Sequence, residues 1–71
     1  MRVNFTVTVQ IGDGPEETMF VSSFPATDRV SSIVMTGERS VCATLKVCKI
    51  RSARIREYLG SSLFATTEFL S

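Results

Sequence analysis

Apolar and polar side chains alternate without error from Arg2 to Ile11. Val3, Phe5, Val7, Val9 and Ile11 share one side of an extended chain, and Arg2, Asn4, Thr6, Thr8 and Gln10 share the other. A period of two over this length predicts a β-strand with one buried face, and its β-branched and aromatic residues suit a pleated surface. The unbroken polar row predicts that the opposite sheet face meets water or a polar partner.

Gly12-Asp13-Gly14-Pro15-Glu16 supplies two residues free to take positive φ and a proline that cannot donate to a ladder, so the chain is expected to turn back as a hairpin. Thr18 to Phe24 predicts the second strand. Its parity is ambiguous, because Met19 and Val21 lie on one face while Phe20 and Phe24 lie on the other. After Pro25, Thr27 or Asp28 is placed to cap a helix over residues 28–36. In that stretch Val30, Ile33 and Val34 fall at helical spacing and Gly37 supplies the stop. Alternation resumes from Ser40 to Ile50, with Val41, Ala43, Leu45 and Val47 opposite Cys42, Thr44, Lys46 and Cys48, which predicts a third strand. Ser52 offers another cap, and Ile55, Leu59, Leu63, Thr67 and Leu70 recur every three or four residues. That spacing predicts a final helix, broken or kinked at Gly60-Ser61-Ser62, with a short fourth strand over residues 63–70 as the alternative.

The expected fold is a small two-layer α+β domain of order ββαβα, one domain over residues 1–71. Its three-stranded antiparallel sheet has order 2-1-3, with the helices packed on one face. A hairpin followed by a helix and a return strand resembles, in topology and without a shared motif, some small phage-encoded inhibitors of host enzymes. The resemblance implies a regulator or inhibitor of a larger protein.

Composition narrows the function classes. A chain of 71 residues buries only about 60% of the surface that its unfolded form exposes, which leaves little stability for a deep active-site cleft. The chain has no histidine, which removes the usual general base near neutral pH and the commonest metal ligand. Cys42 and Cys48, on one predicted strand, would lie roughly 20 Å apart at about 3.3 Å per residue. That is too far for a disulfide, and the spacing matches no zinc signature. Free thiols, a reducing cytoplasmic setting, and no catalytic residue, cofactor or metal are therefore expected. No run approaches the roughly 18–20 apolar residues of a membrane span, and the N-terminus lacks a signal-peptide core, so a soluble, unprocessed chain with no membrane partner is expected.

Two binding classes remain. Leu63, Phe64, Phe69 and Leu70 carry more apolar surface than a short helix on a three-stranded sheet hides, and Phe20 and Phe24 would add to it if turned outward. These six residues are the expected contacts to a protein partner or to a second copy in a homo-oligomer. Alternatively, Lys46, Lys49, Arg51, Arg54 and Arg56 place five of the eight basic residues in eleven positions, a pattern able to neutralise nucleic-acid phosphates. Asp13, Glu16 and Glu17 form an acidic hairpin tip expected to be solvated and unperturbed. Tyr58 is expected on the final helix with its hydroxyl at the rim.

Overall fold

β1 (Arg2–Gln10) is the strand that the opening alternation predicts, and it lies inside the sheet. The computed structural model describes residues 1–71 and continues with β2 (Glu17–Pro25), α1 (Val30–Val47), β3 (Ser52–Leu59) and β4 (Ser62–Leu70). The sheet order is β2-β1-β3-β4, with every neighbouring pair antiparallel. The α+β class stands, whereas the expected ββαβα order and three-stranded 2-1-3 sheet are corrected to ββαββ and four strands with one helix.

α1 runs through both the predicted stop at Gly37 and the predicted strand from Ser40 to Ile50. Its buried residues are Gly37, Val41 and Leu45, one turn apart along one stripe. A strand would have buried Ala43 and Val47 as well, but Ala43 is exposed and Val47 is 81% exposed. Gly37 is there for close approach: a Cβ at this position would collide with the Phe5 ring and lie 3.0 Å from Phe20. Neither Thr27 nor Asp28 caps the helix, because Arg29 occupies the N-cap and makes no side-chain capping bond.

The real stop is at Lys49, whose φ is 58°. Its N–H donates to the Lys46 carbonyl at 3.0 Å and the Ile50 N–H donates to the Leu45 carbonyl at 2.9 Å. This is the paired bonding of a Schellman end, which satisfies carbonyls left over by the last turn, and Ile50 packs against the core beside it.

The core lies between α1 and one sheet face. Phe5, Val7, Val9, Phe24, Ala53, Ile55 and Phe69 meet Val41 and Leu45 there. Pairing of Val3 with Phe24 and Val7 with Phe20 turns both phenylalanines of β2 toward the helix. A register shift then pairs Thr8 with Thr18 and leaves Met19 as an extra residue, while Val21, paired with Thr6, is exposed on the opposite face, so the strand carries apolar residues on both faces. The predicted final helix is instead the β3–β4 hairpin, turned at Gly60 with φ 63°. The Gly60 N–H ties the turn to the Asn4 carbonyl at 2.7 Å. A second bulge, between the pairs Glu57–Ala65 and Tyr58–Leu63, leaves Phe64 extra, with its ring centroid 6.0 Å from that of Phe5. No helix is long and apolar enough to cross a membrane.

Candidate functional site

The sheet face turned away from α1 carries the polar row of β1. Thr6, Thr8 and Gln10 lie beside Tyr58, Arg56 and Arg54 of β3. Glu16, from the hairpin tip, lies over this row: it accepts hydrogen bonds from the Thr8 hydroxyl and, at 2.8 Å, from the Tyr58 hydroxyl. Its other oxygen is 3.6 Å from Arg56, which also donates to the Gln10 side-chain oxygen at 3.2 Å. The Thr8 bond, then the Tyr58 bond and the Arg56 charge, hold the Glu16 carboxyl below its ordinary range, while the same contact raises the Tyr58 hydroxyl. Glu16 is therefore not the unperturbed loop acid expected, and Tyr58 stands on a strand.

The five basic residues do not form one patch. Arg54 and Arg56 lie on this open face and each meets an acid, Arg54 at 3.0 Å from Glu68 and Arg56 near Glu16. Lys46 instead stands in the last turn of α1, on the opposite layer, where its charge complements the helix dipole. Lys49 and Arg51 are exposed in the connection to β3. With Phe20 and Phe24 turned to the helix, the open face offers Tyr58 and no other aromatic ring among the paired positions of β1, β2 and β3.

The six apolar candidates divide evenly. Phe24 and Phe69 are core residues and Phe20 is half-buried, with its ring 6.1 Å from that of Phe5, so these three are not surface anchors. Leu63, Phe64 and Leu70 are 52%, 44% and 78% exposed, and all three belong to β4. β4 is an edge strand of nine residues without a lysine or proline, and its one charge, Glu68, is tied to Arg54. Sheet edges are usually blunted by such residues; β4 has only its bulge at Phe64, whereas β2 at the other edge has Pro25 as well as a bulge.

α1 lies over β1 and β2. Between the helix and the β3–β4 hairpin is a cleft of about 290 Å³ lined by Glu38, Cys42, Ile55, Glu57 and Thr67. Glu57 pairs with Val7 on the helix-facing side, is 2% exposed, and keeps its Oε1 buried without a hydrogen-bond partner. Burial, reinforced by the neighbouring Glu38 carboxyl, pushes Glu57 up to about 7. Sequence reasoning missed this residue. The signal was there, since Ala53, Ile55 and Leu59 alternate in β3 with a single acid in the inward row. Cys42 and Cys48 are free thiols, within and just beyond α1 and not on a strand. No three His, Cys, Asp or Glu side chains converge so as to hold a metal ion.

No protein-family model, curated protein or solved structure matches the chain.

Proposed function

We propose that the protein is a non-enzymatic interaction module that regulates or inhibits a larger protein partner by pairing its β4 edge with a strand of that partner. The observation that carries this reading is the nine-residue edge without lysine or proline, bearing exposed Leu63, Phe64 and Leu70. An added strand takes up the unpaired backbone groups, and the apolar side chains supply specificity on its flanks.

The test compares the parent with the double variant Leu63→Lys/Leu70→Lys, both substitutions being at exposed positions. Nuclease-treated host extract is passed over each protein, and each is sized by light scattering. Loss of a captured protein by the variant, with its circular dichroism and melting unchanged, supports the reading. Equal capture by both proteins ends it. A parent dimer that the variant converts to monomer assigns the edge to a second copy instead.

Nucleic-acid binding is the second reading, supported by Lys46, Lys49 and Arg51, none of which has an acid within ion-pair distance. It predicts affinity that falls steeply with salt, with a slope made shallower by about one for each phosphate-contacting cation removed. An unchanged slope in the triple alanine variant would eliminate it.

A further inference from the structure

Glu57 meets its burial by holding a proton and hydrogen-bonding with Glu38, which leaves the cleft without a cation of its own. Its Oε1 is buried without a partner, and the acid that bonds to the group is another carboxyl, Glu38. Of the eight Lys and Arg side chains, those in ion pairs meet Glu16 and Glu68, and none reaches either acid of the cleft. The shared proton stands in for a cation between two acids, and an external cation able to reach both can take its place.

We propose that the cleft between α1 and the β3–β4 hairpin receives a lysine side chain of the protein partner. The ammonium is set between Glu57 and Glu38, with the methylene stem against Ile55, Cys42 and Thr67. The inference rests on the reading of the chain as a protein-interaction module and names the chemistry its partner must present. Two carboxylates offered by different elements suit a compact ammonium with three donors on a flexible stem, whereas a guanidinium presents a flat, rigid fork. The walls suit the stem, since long cationic side chains lay their methylenes along apolar surface and keep the charge at a polar end. Entry of the ammonium favours ionised Glu57, so binding releases a proton and strengthens as pH rises through the range in which free Glu57 titrates.

The test is carboxyl-detected NMR on the whole chain, titrated with N-acetyl-lysine methylamide. The neutral norleucine analogue, the arginine analogue and butylammonium serve as separate arms. The expected result is a saturable shift of the Glu57 and Glu38 carboxyls and the Thr67 methyl with the lysine probe. Glu57 should then titrate at lower pH, and the response should be lost in Glu57→Gln and weakened in Glu38→Gln, which alters only an exposed helix residue. No shift in the parent, an equal shift with norleucine, or full retention in both variants overturns the proposal. A stronger response to the arginine analogue, or a response to butylammonium without one to the lysine amide, overturns the choice of lysine on a partner chain. The probe is a small molecule and Leu63→Lys/Leu70→Lys alters neither acid, so failure of β4 pairing and failure of the cleft are read separately.

Discussion

The ring of Phe5 occupies the space that any side chain at position 37 would need. α1 is thereby seated directly on β1, and replacing Gly37 tests two opposed effects. Gly37→Ala raises helix propensity by roughly 1 kcal/mol, but overpacking against a fully buried ring costs about 1–3 kcal/mol. The steric effect is expected to win, lowering the urea midpoint with an unchanged slope. A variant as stable as the parent would contradict the close approach.

Lys49 ends α1 in the left-handed region, where a side chain costs on the order of 1 kcal/mol. Lys49→Gly is expected to stabilise the protein by about 0.5–1 kcal/mol, because the Schellman bonds stay and the strain goes. Lys49→Ala removes the same charge but keeps the Cβ, so equal stabilisation by alanine in a thermal melt would count against the strain account.

Folded Glu57 keeps its proton up to about pH 7, whereas the group's ordinary value is 4.5. Between these values the native state binds more protons than the unfolded state, so stability falls as pH rises and levels off above the folded value. The groups facing Glu57 from α1 are Glu38 and Cys42, while its strand partners Val7 and Ala65 bring no charge. The slope contributed by Glu57 approaches at most about 1.4 kcal/mol per pH unit. Glu57→Gln is expected to flatten it and to be more stable than the parent at alkaline pH. Parallel pH–stability curves for the two proteins would rule out Glu57 as the source.

Glu16 has the opposite sign. Its folded carboxyl is depressed, so its contribution is present above the ordinary carboxylate range and is lost as pH falls through the lowered value. Tyr58→Phe removes one of the two hydroxyl donors and should move the Glu16 carboxyl resonance to titrate at higher pH. An unchanged titration would show that the Tyr58 contact is not made in solution.

The strand β1, the hairpin after it and the α+β class are legible in the sequence because each rests on a local rule: unbroken alternation, turn-forming glycines, and a change of period after Pro25. The errors come from residues whose role is tertiary. Gly37 reads as a helix stop, and nothing local says that Phe5 will need its missing side chain. Val41 and Leu45 satisfy both a period of two and a helical turn, so Ser40 to Ile50 reads as a strand, and only the exposure of Ala43 and Val47 separates the two. In Ser52 to Leu70 the inward row of β3 contains Glu57, and that one charge hides the alternation and lets the helical spacing of Ile55, Leu59 and Leu63 prevail. The residue that misled the fold is also the one at the centre of the cleft. The exposure of Leu63, Phe64 and Leu70 is legible as an excess of apolar area, whereas the burial of Phe24 and Phe69 depends on a sheet register that two bulges set.

Three elements meet on one phenyl ring. Phe5 touches Phe20 of β2 and Phe64 of β4, and it is pressed against the backbone of α1 at Gly37. Phe64 is half outside, within reach of anything that docks on the edge, and Phe5 is wholly inside. Because the interior is close-packed, loss of the Phe64 ring would open a void beside Phe5, the ring on which the helix is seated. The edge strand and the helix thus share one packing partner in a single ring.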